Sequence, residues 1–175
     1  MTVAHVEDPT TCDDEWVALY RLLVLKHGVR GMAAFSDQSL RRQLAVPGAV
    51  VFKAMHEGTT IGMMIWYVQR DAGYYHLAAY TDQGYELRAS YGLFSRAIDH
   101  FKTQGLRWLT LGGTPALVDD HSNGLARFKR GWSTETRMTF LCGRIFNQEV
   151  YDALAGETAS SGGDYFPAYR AGEFD

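Results

Sequence analysis

Cysteine is almost missing from this chain. Cys12 and Cys142 are the two present, far apart in sequence. Such a pair builds neither a disulfide framework nor a zinc-type ligand spacing, so the expectation is a reduced, cytoplasmic protein without a structural metal. Long apolar runs are missing too. Nothing approaches the roughly 18 residues a membrane span needs, and the residues after Met1 are polar and acidic, without the apolar core of a signal peptide. A dominant charge is also lacking: 17 Lys+Arg against 20 Asp+Glu leave a net charge of −3. That balance argues against a dedicated nucleic-acid binder, although local patches can depart from an average. No internal repeat is visible. What the 175 residues do hold is 46% hydrophobic, 13% aromatic and 21% charged side chains. This suits a single domain with a packed interior and an aromatic-lined cleft.

Residues 1–12 carry no periodicity and are expected to form a flexible N-terminus ahead of one domain, 13–154, and a flexible tail, 155–175, rich in Gly and Ser. From Asp13 the apolar residues Trp16, Leu19, Tyr20 and Leu23 recur at helical spacing, predicting a helix to about His27-Gly28. Ser36 is the expected cap of a short second helix with Leu40 and Leu44 on one side, stopped by Pro47-Gly48. Three extended runs follow, Ala49–Met55, Thr60–Gln69 and Tyr74–Tyr80, separated by the turns Glu57-Gly58 and Asp71-Ala72-Gly73, which predicts an antiparallel meander. Leu93, Phe94, Ala97, Ile98 and Phe101 make the apolar stripe of a long helix, with Ser90 as its expected N-cap and Gly105 as its stop. Trp108–Leu111 reads as a short strand, 124–130 as a compact helix ended by Gly131, and Thr136–Phe146 as a last long strand. The expected fold is therefore α/β: an antiparallel meander plus a strand–helix–strand crossover in one mixed sheet, with helices on both faces.

This order resembles the GNAT acyltransferase fold, and two motifs narrow the likeness. Leu111-Gly112-Gly113-Thr114, followed after a loop by Gly124-Leu125-Ala126-Arg127-Phe128-Lys129-Arg130-Gly131, resembles the Gly-Gly and Phe-Lys signature of the FemABX-like aminoacyltransferases. Tyr74-Tyr75-His76-Leu77-Ala78 is similar to the segment ahead of the long helix in that group, and the resemblance covers about residues 49–146. Three features depart from it. The chain has room for one such domain rather than two, it has no helical-hairpin tRNA arm, and it lacks the glycine-rich loop of coenzyme A-dependent relatives, where Arg88, Ala89 and Ser90 stand instead. A single-domain alanyl-tRNA-dependent transferase of antibiotic biosynthesis, of the pacidamycin type, is similar in these respects.

The resemblance implies transfer of an aminoacyl group from aminoacyl-tRNA to the amine of a small peptide-like acceptor, forming a peptide bond with no permanently bound cofactor. Lys129 matches the lysine of the Phe-Lys pair and is the candidate for stabilising the oxyanion that forms at the carbonyl. His76 lies on the run from which related acyltransferases project a general base, and an imidazole suits proton removal near neutrality. Arg88, Ala89, Ser90 and Tyr91 precede or open the long helix, where free N–H groups and the helix dipole attract phosphate. Gly112, Gly113 and Thr114 follow a strand end, and Arg127, Phe128 and Arg130 flank Lys129; all are candidate donor contacts. Between Arg127 and Arg144, five basic residues face Glu135 alone, which suits a phosphate-rich donor. Two alternatives stay open: an N-acyltransferase using acyl-CoA or a carrier-protein thioester, and a non-catalytic binding module of the same fold. Asp119, Asp120 and His121 have the composition of a metal cluster but read as a solvated loop, and Cys142 has no nearby histidine to make it a nucleophile.

Overall fold

The computed structural model describes residues 1–113, 124–140, 142–156 and 166–170. The chain divides into two compact units, Met1–Gly113 and Thr114–Asp175. Thr114 and the Asp119-Asp120-His121 loop lie outside the described residues.

The first unit opens with a strand, β1 (Thr2–Val6), and a 3-10 turn over Pro9–Cys12 capped by Asp8, where no regular structure was expected. Five residues are too few to show a period. β1 exists because its backbone pairs antiparallel with β2, Thr2 opposite Met55 and Val6 opposite Val51. Helix α1 (Asp13–His27) ends at left-handed Gly28, and α2 (Asp37–Leu44) starts at Ser36, whose hydroxyl accepts the Ser39 N–H at 3.2 Å. The acidic start of α1 is neutralised: Arg41 pairs with Asp13 and Asp14, and Lys53 Nζ meets Glu15 Oε1 at 3.0 Å.

The antiparallel meander forms as expected, except that Ala72 and Gly73, read as turn, already pair in the third strand. β2 (Ala49–His56), β3 (Thr59–Gln69) and β4 (Ala72–Tyr80) pair antiparallel. The two-residue β2–β3 loop has Glu57 at φ 51° and Gly58 at φ 78°, the double left-handed turn whose twist matches the strands it joins. A short helix, α3 (Asp82–Glu86), follows, capped by the Thr81 hydroxyl. It packs close enough to β3 that a Cβ on Gly84 would run into the Ile61 carbonyl oxygen. Then α4 (Ala89–Thr103) crosses the sheet, ending in Gly105 at φ 76° with Leu106 N–H on Phe101 O at 3.0 Å and Gly105 N–H on Lys102 O at 3.1 Å. The chain returns as β5 (Trp108–Thr110), parallel to β4. The sheet order is β1-β2-β3-β4-β5.

Side-chain alternation separates two apolar layers. Val51, Met63, Ile65 and Ala79 face α1 and α2, meeting Trp16, Leu19, Tyr20, Leu40 and Leu44. On the other face Phe52 and Trp66 meet Phe94 and Phe101 of α4 in edge-to-face contacts 5.3–5.9 Å between ring centres. Leu93, Phe94, Ala97 and Phe101 are fully buried, as the helical stripe predicts, and Ile98 of the same stripe is half-buried. Each large side chain so buried contributes about 1.5–3 kcal/mol.

The second unit, by itself, has α5 (Gly124–Trp132) and α6 (Gln148–Ala155), the latter capped by Asn147. Gly131 does not stop α5, which runs one residue further. The strand expected over Thr136–Phe146 is not formed by its described residues. Met138, Phe140 and Phe146 are 83%, 81% and 90% exposed. A strand is defined by its partner, and apolar alternation alone supplies none.

Candidate active site

His76 sits where β4 breaks register. Ile65 pairs with Leu77 and Trp66 with Tyr75, so His76 is an extra residue opposite the step between them. The bulge inverts the alternation. Tyr75 stays on the α4 side against Trp66 and Phe94, whereas His76 and Leu77, consecutive in sequence, both face α1 and α2. Bulges re-aim side chains in this way, often beside active sites. The imidazole lies 4.8 Å from the Tyr67 ring, and its Nε2 is 3.1 Å from Gln43 Oε1 of α2. Burial lowers its pKa from 6.5, favouring the neutral, proton-accepting form.

β4 and β5 part immediately before this point. Their ladder has three pairs, Ala72 with Trp108, Gly73 with Leu109 and Tyr74 with Thr110. Beyond Tyr74, β4 has no partner strand on its β5 side among the described residues. Such an edge can take an extended ligand that hydrogen-bonds like a strand. β5 itself runs into Gly112, whose φ of 71° is the conformation glycine supplies most easily.

The far end of β4 leads through α3 to the start of α4. Here the structure corrects the expected cap. Ser90 is not the N-cap but the second residue of the helix; the cap is Arg88, held at φ 53° and ψ 42° with no side chain capping the first turn. Arg88 N–H bonds Tyr85 O and its carbonyl accepts Tyr91 N–H, both at 3.0 Å. The conformation comes from joining two helices through Leu87 and Arg88 alone. Arg88 and Tyr91 are exposed, Ser90 is half-buried, and Ala89 is buried.

The other predicted residues belong to the second unit. Arg127, Phe128, Lys129 and Arg130 are on α5, with Phe128 stacked edge-on against Trp132 at 6.3 Å. Lys129 is half-buried, and burial lowers its pKa from 10.5. The basic stretch is weaker than its count suggests, because Arg137 pairs with Glu135 at 2.8 Å.

Gln43 and Tyr67 were missed from sequence. The first is one polar residue of a short amphipathic helix and the second one aromatic among several, so neither carries a local signal. An open pocket of about 480 Å³ between α1 and the β2–β3 hairpin holds none of the candidate residues. The Glu15–Lys53 pair and Thr60 on its wall already satisfy one another. Cys12 is buried with its thiol pKa raised to about 11, which makes it inert.

The family model described as acetyltransferase (GNAT) domain matches residues 4–130. No curated protein matches the chain. Among solved structures, an aminoglycoside acetyltransferase from an uncultured soil metagenomic sample in complex with sisomicin is similar at TM-score 0.59 and 16% identity, over 82% of this chain and 96% of that one. A ribosomal-protein-alanine N-acetyltransferase from Brucella melitensis is similar at TM-score 0.61 and 13% identity, over 82% and 98%. An aminoglycoside N-acetyltransferase in complex with CoA is similar at TM-score 0.56 and 13% identity, over 82% and 100%. At these identities the likeness shows the fold.

Proposed function

We propose, since this chain belongs to the acetyltransferase (GNAT) domain family and is an acyltransferase, that it forms an amide by moving an acyl group from a coenzyme A thioester to an amine. The observation that carries this reading is the parting of β4 from β5 after Tyr74 and Thr110, which leaves a strand edge ending near the start of α4. An extended donor arm with amide groups adds along that edge as a strand does. Its phosphates meet the first turn of α4, where no side chain caps the helix, the helix dipole favours anions and Arg88 adds a cation. Gly112 and Gly113, which follow β5, are the candidate donor contacts on the other strand. In the reaction the amine nitrogen bonds to the acyl carbon, the carbon–sulfur bond breaks, and the proton leaving the nitrogen goes to His76. On the second unit Lys129, its ammonium partly desolvated, is a cation of the kind that offsets charge developing on an acyl oxygen. The family match extends from β1 to α5. A structural neighbour bound to CoA supports the donor class.

A second reading keeps aminoacyl-tRNA as donor and a peptide-like amine as acceptor. Phe128-Lys129 beside Arg127 and Arg130 favours it, since this is the stretch that resembles the FemABX-like enzymes. Incubation with radiolabelled acyl-coenzymes A and aminoacyl-tRNAs, with a panel of aminoglycoside, peptide and protein N-terminal amines, separates the two. Acceptor-dependent loss of label from acyl-CoA is expected. Transfer from aminoacyl-tRNA alone, with binding that weakens steeply as salt rises, would reverse the order.

A further inference from the structure

We infer that Gln43 is a positioning residue, holding the His76 imidazole through Nε2–H so that Nδ1 is the atom offered to the acceptor amine. The inference deepens the reading above and rests on its use of His76 as the proton acceptor.

Three contacts close a ring around the imidazole. Gln43 Oε1 lies 3.1 Å from His76 Nε2, the Tyr67 hydroxyl donates to the Gln43 backbone carbonyl at 3.0 Å, and the Tyr67 and His76 rings are 4.8 Å apart at 45°. Gln43 is thereby pinned by its main chain at one end and meets the imidazole at the other. A neutral imidazole has one N–H and one lone pair. An amide oxygen can only accept, so it selects the form protonated at Nε2 and leaves the lone pair on Nδ1. Nδ1 has no hydrogen-bond partner among the described residues, and the ring is half-buried rather than sealed. The bulge is the second independent feature. It turns His76 out of the strand's alternation and toward α2, where Gln43 is the polar side chain that meets it.

No charge on α1, α2 or β3 contributes to the lowered pKa of the ring. From β3 the titratable group is the Tyr67 phenol, whose pKa burial raises, so it stays protonated. From α2 the facing side chain is the uncharged Gln43. His76 makes no ion pair among the described residues, and burial alone accounts for its lowered pKa. The position of Gln43 is therefore where a change of charge would be felt most directly.

The test is an NMR titration of His76 together with pH profiles of kcat/KM, using the full chain with acetyl-coenzyme A and the amine panel above, for wild type, Gln43→Glu, Gln43→Met and His76→Ala. A carboxylate in place of the amide favours imidazolium. Gln43→Glu is expected to raise the His76 pKa by a unit or more (roughly 1–3 units for an opposite charge at this range) and move the acid limb of kcat/KM up by the same amount. Gln43→Met, similar in volume, is expected to lower kcat about tenfold, within the usual reach of acid–base effects, with KM within about twofold. At alkaline pH, Gln43→Glu should recover most of the kcat that Gln43→Met loses. If His76→Ala keeps wild-type kcat, the assignment of His76 itself fails. If His76→Ala is inactive but Gln43→Glu moves neither the NMR pKa nor the acid limb, the assignment of Gln43 alone fails. A lowered Tm with kcat unchanged in Gln43→Met would likewise reduce Gln43 to a packing residue. The NMR arm needs no donor and reads even where activity is low.

Discussion

Arg88→Gly should leave stability nearly unchanged while weakening donor binding. Arg88 is held at φ 53° and ψ 42°, a conformation that costs a residue with a Cβ roughly 1–2 kcal/mol. Glycine removes that cost but gives the unfolded chain more freedom, worth about 0.5–1 kcal/mol in the opposite direction. The backbone bonds to Tyr85 and from Tyr91 survive the change. The exposed guanidinium makes no ion pair among the described residues, so nothing else is lost in the free protein. The net expectation is a gain of about 0–1.5 kcal/mol, read from urea unfolding. Binding should move the other way. A charge-assisted contact to a phosphate is worth about 1.5–3 kcal/mol when buried and less at an exposed helix start. A loss of about 1–2 kcal/mol, roughly 5–30-fold in the Kd of the donor by calorimetry, is expected. Arg88→Ala separates the two effects, since it keeps the strain and loses the charge: binding as weak as Arg88→Gly, stability close to wild type. A donor Kd within twofold of wild type in both variants would remove Arg88 from the site. A glycine variant more than about 1 kcal/mol less stable would refute the strain argument.

Lys129→Ala should fold normally, within about 1 kcal/mol of wild type, yet lose on the order of a hundredfold in kcat with donor affinity retained, because the charge it offsets exists in the transition state; wild-type turnover would reduce it to a helix surface residue. Gly84→Ala drives a methyl group into the Ile61 carbonyl, and about 1–3 kcal/mol of destabilisation is expected, with Tm several degrees lower; an unchanged Tm would mean that α3 shifts freely. Acid should weaken the attachment of β1 to α4. His5 and His100 stack at 4.4 Å, with Glu7 and Arg96 as the nearby charges, and burial followed by the His5 and Arg96 charges lowers the His100 pKa from 6.5. The unfolded chain then takes up this proton first, so stability present above about pH 6.5 is lost as pH falls through the lowered value. Urea midpoints from pH 8 to 5 should show this loss, and His100→Phe should flatten the slope; an equal slope in both proteins would assign the loss elsewhere.

What was legible in the sequence is what nearest neighbours dictate. Gly28, Ser36, Glu57-Gly58 and Gly105 announced their turns and caps because each acts on its own stretch of backbone. The α4 stripe was legible because burial on one helix face repeats with the helical period. The Ser90 cap and the Gly131 stop were misplaced locally by one or two residues, whereas the larger misses depend on a partner elsewhere in the chain. β1 needs β2 before its five residues become a strand, and Thr136–Phe146 has the alternation of a strand without a ladder among its described residues. The candidate site divides the same way. His76 was named from its strand, but the bulge that aims it is a relation between β3 and β4, and Gln43 enters through a helix 33 residues away in sequence.

The start of α4 shows why a missing motif is weaker evidence than a present one. Glycine in a phosphate loop is a means to a backbone conformation and to close approach, so its absence is a weak reason to prefer a tRNA-linked donor. Arg88 adopts the left-handed conformation without being glycine, because α3 must join α4 through two residues. A left-handed conformation is thus present without glycine, ahead of a first helical turn that no side chain caps and beside a cation, Arg88. Composition at this position therefore does not exclude a coenzyme A donor. Arg88 adds charge there rather than removing it, which is compatible with the phosphates of the donor proposed above.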